Sequence, residues 1–157
     1  MHCFLVQHGE AVPEAQDPAR PLTERGREEV RRVASYAAHL GLVPTEIWHS
    51  GKLRAQQTAE IFAEQLRRPP ILREQRGMSP GDDPLLVLPR LEAAAAPVML
   101  VGHLPHLTRL ASLLLVGDSG RGIIQFRNAG IVCLARGEGG WSLHWALPPD
   151  LVPGRPA

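Results

Sequence analysis

Residues 97–107 read "PVMLVGHLPHL", and how they are read decides the fold. Val98, Met99, Leu100 and Val101 form an unbroken apolar run, which marks a strand buried on both faces rather than one with a wet side. Gly102 and His103 follow it directly. Pro105 then stands where the first residue of a helix would be, and Leu107, Leu110, Ala111 and Leu114 supply that helix's apolar face.

The same unit recurs along the chain. "HCFLVQ" (2–7) is a short buried strand that runs into His8 and Gly9. After a Pro-containing loop, Thr23 is placed as the N-cap of a helix that stops at Gly41. Val30, Val33, Ala34, Ala37 and Leu40 form its inner face, and the charges from Glu24 to Arg32 its solvated side. "TEIWHS" (45–50) is the next strand, with Ser50 expected to cap a helix faced by Ala55, Ala59, Phe62, Ala63 and Leu66 and ended by Pro69-Pro70. "PILRE" is a further strand, "MSPGDDP" a loop, and 84–93 a helix. "GIVCLAR" and "WSLHWAL" read as two final strands around a "GEGG" turn, followed from Pro148 to Ala157 by an irregular Pro-rich tail. No repeat or linker interrupts this alternation across the 157 residues. It predicts one α/β domain in three layers, a mostly parallel central sheet with helices on both faces.

Composition narrows the function. A net charge of +1 gives neither the basic field of a nucleic-acid binder nor a polybasic membrane patch. The apolar part of "MHCFLVQHGEA" is too short for a signal peptide, and no run has the length to span a bilayer. Cys3 and Cys133 lie in strand-like stretches without metal-ligand spacing, and read as small buried hydrophobes in a reducing compartment. The expectation is a soluble cytoplasmic protein with no nucleic-acid or membrane partner.

In sheets of this class, ligands bind beyond the carboxyl ends of the strands. His8 follows the first strand, Arg54 lies in the first turn after "EIWHS", and His103 follows "VMLVG". Taken singly, a strand-end histidine also fits a structural or solvent-facing residue, and a first-turn arginine also fits plain surface. Together, two imidazoles, a guanidinium and helix N-termini would make a pocket for a phosphoryl group. A neutral imidazole can take that group covalently, provided its other nitrogen is held by an acceptor such as a backbone carbonyl.

The blocks "LVQHGEA", "RPLTERG", "HSGKLRAQQTAE" and "LVGHLPHL" resemble, in order and spacing, those of the histidine phosphatase superfamily. Short length, "GHLP" and the late "NAGIVCL…GGWSLHWAL" segment resemble its branch of small SixA-type phosphohistidine phosphatases. The resemblance covers nearly the whole chain and implies the phosphoglycerate-mutase-like fold. It makes His8 the nucleophile, Arg54 a phosphate clamp, and His103 the group that stabilises the transferring phosphoryl oxygens. Arg20, just before "PLT", falls near the mouth by the same analogy, as a substrate-binding residue or a cap. The implied enzyme is a phosphatase that works without metal or other cofactor. Its substrate would be a phosphohistidine protein or, failing that, a small phosphorylated molecule.

The family motif is Arg-His-Gly, and here the Arg position is Gln7. Gln keeps N–H donors for a phosphate but loses the charge and the planar fork. Either another cation supplies that charge, with Arg20, Lys52 and Arg54 as candidates, or the enzyme is slow, or the site binds phosphate without turnover. A general acid for monoester cleavage is also weakly signalled. Glu74, Asp82 and Asp83 are available in "LREQRGMSPGDDP", and turn and cap roles suit them better. An imidazole leaving group is less basic than an alkoxide and needs less protonation, which favours a phosphohistidine over a small phosphate monoester. His49 is a candidate for approach to the phosphate. His106 is expected at the start of a helix on the pocket rim, and His2, His39 and His144 in structural or surface roles.

Overall fold

The computed structural model describes residues 1–154. Its six-stranded sheet has the order β3-β2-β4-β1-β5-β6, with β1 His2–Gln7, β2 Glu46–His49, β3 Ile71–Glu74, β4 Val98–Gly102, β5 Ile131–Gly137 and β6 Gly140–Leu147. The pairs β1/β4, β2/β4 and β2/β3 are parallel, whereas β5 is antiparallel to both β1 and β6. Five strands therefore run one way and β5 alone is reversed, as expected of a mostly parallel sheet closed by a hairpin.

Alternation along β1 divides the interior in two. Phe4 and Val6 face a core shared with helices α1 (Glu24–His39) and α2 (Leu53–Gln65). Cys3 and Leu5 face a second core built with α3 (Leu88–Ala93) and α4 (His106–Val116). All five residues of β4 are buried, which is the physical content of its unbroken apolar run. Thr23 caps α1 by accepting from the Gly26 N–H, and Gly41 leaves the helix at φ +85°.

Several local expectations shift. Ser50 does not cap α2; Lys52 holds the N-cap position with no side-chain bond to the helix, and the Ser50 hydroxyl is drawn elsewhere. The α2 helix stops at Gln65, four residues before Pro69. Residues 84–93 split into a 3-10 turn, Pro84–Leu86, and α3, with Pro89 in the first turn of α3, where its missing N–H is tolerated. Pro105 precedes α4 instead of opening it. The tail is not wholly irregular: Pro149–Leu151 form a 3-10 turn, Val152 is buried, and Arg32 donates to the Pro149 and Val152 carbonyls at 3.0 and 2.8 Å. The last three residues of that tail lie outside the described residues.

Candidate active site

The carboxyl ends of the central pair, β1 and β4, lie side by side, with Gln7 opposite Gly102. The residues that follow them, His8 and His103, are brought together with ring centroids 5.1 Å apart. The His8 N–H donates to the Gly102 carbonyl, and the His8 carbonyl accepts from Asn128 Nδ2 at 2.8 Å. Both bonds hold the segment straight as it leaves the sheet.

His8 Nδ1 lies 2.7 Å from the Gly9 carbonyl. A carbonyl can only accept, so Nδ1 carries the proton and Nε2 keeps the lone pair. Burial drives the His8 pKa down to about 4, with the charges of Arg54 and Arg20 adding to the shift. The ring is therefore neutral at physiological pH. His103 is 1% exposed, and burial, followed by His8, Arg54 and Lys52, lowers its pKa to about 3. The Ser50 hydroxyl lies 2.6 Å from His103 Nε2, while His103 Nδ1 is buried with no hydrogen-bond partner among the described residues.

The helix α2 ties the other blocks to this point. Arg54, Gln57 and Thr58 stand at i, i+3 and i+4, and so share one helix face. Gln57 Oε1 accepts the Leu22 N–H at 2.8 Å, and Thr58 Oγ1 accepts the Gly9 N–H at 3.0 Å while donating to the Arg54 carbonyl at 2.8 Å. Burial is the main cause of a lowered Arg54 pKa, with Arg20 next, and Arg54 Nε is buried without a partner among the described residues. Arg20 reaches this cluster from a backbone at φ +49°, its Nε donating to the Val12 carbonyl. A non-glycine residue in the left-handed region costs about 1–2 kcal/mol, so the loop spends stability to aim a cation inward. Gly9 and Gly26 permit close packing here: a Cβ on Gly26 would lie 2.2 Å from the Glu10 carbonyl oxygen.

Gln7 Oε1 is also buried and unpartnered among the described residues. His49 is engaged locally: its Nδ1 accepts the Gly51 N–H at 3.1 Å, and the charges acting on it are those of Glu74 and Glu60. His106 does start α4, but it is fully buried rather than at a rim, and it faces the Gly77 carbonyl short of full hydrogen-bond geometry. Asp83 caps the 3-10 turn through the Leu85 N–H, and Asp82 accepts from the Ser79 N–H. Both are turn residues. Glu74 packs over Gly51.

A family model described as the histidine phosphatase superfamily (branch 1) matches residues 3–76. An uncharacterized protein of Picosynechococcus sp. is 35% identical over 92% of this chain and 90% of its own length. The chain belongs to the histidine phosphatase superfamily. Within it, the phosphohistidine phosphatase SixA of Escherichia coli (strain K12) is 28% identical over 95% of this chain and 94% of that protein. A solved structure of the protein histidine phosphatase SixA complexed with tungstate superposes with a TM-score of 0.85, at 28% identity, over 96% of this chain and 98% of that one. Phosphatase chemistry is what these histidine phosphatase homologues share. Superfamily membership accounts for the block spacing: Arg54, Gln57 and Thr58 are the knots of one network. Thr58 and Asn128 were not anticipated as part of the site. Thr58 could have been found from its position one helical turn after Arg54, whereas Asn128, 120 residues from His8, gives no local signal.

Proposed function

We propose that the chain is a metal-independent phosphatase that works through phospho-His8, with phosphohistidine in a protein as its substrate. One observation carries the reading: His8 is a neutral imidazole whose Nδ1–H is engaged by its neighbour's carbonyl, leaving Nε2 as the nucleophile beside two arginines. In the first step Nε2 attacks phosphorus, the P–N bond to the substrate imidazole breaks, and that imidazole leaves with a proton drawn from solvent. In the second, water attacks phospho-His8, inorganic phosphate departs, and Nε2 recovers its lone pair.

Arg54 and Arg20 neutralise the phosphoryl oxygens. His103 sits at their developing charge. A bound dianion reverses the field that Arg54 and Lys52 impose on His103 and draws it toward the protonated form, in which both nitrogens donate. Asp82 and Asp83 are engaged in turns, accepting the Ser79 and Leu85 N–H groups, which suits a leaving group that needs little protonation. SixA's complex with tungstate, an oxyanion of phosphate-like shape, supports an anion site in this family.

No described helix is long and apolar enough to cross a membrane. The free thiols of Cys3 and Cys133 fit a reducing compartment such as the cytoplasm.

Gln7 supports a second reading, in which the site binds a phosphorylated partner without turnover. One assay separates them. Wild-type and His8→Ala proteins are incubated with a phosphohistidine peptide and with an aryl phosphate, and phosphate release and alkali-stable protein phosphorylation are followed. Release by wild type alone, with label on His8, supports the phosphatase. Binding of the phosphopeptide without release supports the binder.

A further inference from the structure

At the opposite end of β1 from His8, three side chains from three adjacent strands converge. His2 opens β1, Cys133 lies within β5, and His144 lies within β6. Their ligand atoms all lie within 4.8 Å of one another. The two imidazoles are stacked, with centroids 5.0 Å apart at 14°. Among the described residues, no hydrogen bond uses a ring nitrogen of either.

The convergence depends on an irregularity in the sheet. Cys133 pairs with Trp145 and Leu134 with Leu143, so His144 is the extra residue of a β-bulge. Strict alternation would send residues 144 and 145 to opposite faces. The bulge instead re-aims His144 toward the face that Cys133 and His2 share. A pocket of about 190 Å³ is lined by the three residues and also by Gly41, Leu42 and Val43.

We propose that His2, Cys133 and His144 bind a zinc-class divalent cation, with a water as the fourth ligand in the adjoining pocket. Two imidazoles and one thiolate suit a borderline-soft ion better than a hard one. In a tetrahedral zinc site, bonds of about 2.0–2.3 Å put the ligand atoms roughly 3.3–3.8 Å apart. The cluster, whose ligand atoms lie within 4.8 Å of one another, therefore needs to contract by up to about 1.5 Å, which rotation of the half-buried His2 and exposed His144 side chains supplies. On binding, the Cys133 thiol loses its proton to solvent, and the metal–sulfur bond replaces the S–H bond. The bound ion would clamp edge strand β6 to β5 and β1. His2 is six positions from His8 along the chain and Cys133 is paired with Phe4, four positions from it, so the clamp lies roughly 13–20 Å from His8 and this site is independent of the phosphatase reading.

The test uses untagged full-length protein stripped with a chelator and titrated with Co²⁺, then with Zn²⁺. The expected result is one equivalent of cobalt with a thiolate-to-metal charge-transfer band and tetrahedral d–d bands, displaced by zinc. Zinc raises the melting temperature of wild type. His144→Gln weakens binding at least tenfold, and Cys133→Ala abolishes the charge-transfer band. His39→Gln, on α1, changes neither. A cobalt spectrum with no thiolate band overturns the proposal, as does His144→Gln protein that binds as tightly as wild type. Because His144 is exposed, the His144→Gln variant decides the matter even if Cys133→Ala fails to fold.

Discussion

The Ser50 hydroxyl stands 2.6 Å from Nε2 of His103, joining the loop after β2 to the loop after β4. Its oxygen also accepts the Lys52 N–H at 3.3 Å, so the hydroxyl proton is free to turn toward the imidazole. Ser50 is thus a positioning residue that holds the His103 ring through Nε2. Ser50→Ala is expected to lower kcat about tenfold with KM little changed, and to alter the His103 ring shifts in the NMR spectrum. A variant with wild-type kcat and unaltered shifts would show that the contact orients nothing.

The pH dependence follows from two depressed histidines. His8 and His103, at about 4 and about 3, lie below the ordinary 6.5, so between those values the unfolded chain binds more protons than the folded one. Stability is then complete above about pH 6.5 and declines as pH falls through the folded-state values. One pKa unit corresponds to about 1.4 kcal/mol, so the loss reaches a few kcal/mol by pH 4. Urea unfolding midpoints measured from pH 7 to 4 should fall more steeply for wild type than for His103→Gln. With an aryl phosphate, kcat/KM should hold to about pH 5, because His8 remains neutral there. An acidic limb near 6.5 would contradict the burial argument.

Arg20 and Gln7 form a pair in function. Arg20 already contributes charge at His8 and Arg54, which makes it the candidate to stand in for the arginine that the family motif carries at position 7. Arg20→Ala should lower kcat/KM by ten- to a hundredfold, somewhat less than a fully buried oxyanion donor. Gln7→Arg should raise turnover a few-fold in wild type and by a larger factor in Arg20→Ala. Equal factors in the two backgrounds would mean that the sites act independently.

Thr58 holds Gly9 and the Arg54 carbonyl with one hydroxyl and is fully buried. Thr58→Val keeps the shape and orphans the Gly9 N–H. The expected cost is about 1–3 kcal/mol of stability, read from chemical denaturation, with kcat falling as Gly9 and His8 lose their anchor. Thr58→Ser should restore most of both.

Much of this architecture was legible in the chain because its signals are local. The apolar run at 98–101 and the Thr23 cap with Gly41 each name an element from a few neighbouring residues. The pocket was legible only in part. His8, Arg54 and His103 could be placed at strand and helix ends, but their grouping rested on resemblance to a family. Ser50 shows why local reading fails: its sequence position suits a cap, and a histidine 53 residues away competes for its hydroxyl. The bulge at His144 is set by pairing with another strand and has no period of its own, and the tail is docked by Arg32 across more than a hundred residues.

The place of β1 and β4 as the innermost neighbours has a broader consequence. Because His8 and His103 extend from adjoining strands, the lattice of peptide bonds acts as a ruler for the gap between them. Surrounding loops can lengthen, shorten or change chemistry without altering that measure. A change in what such a protein accepts can therefore be written in its loops, while the spacing of the two imidazoles stays fixed by the sheet.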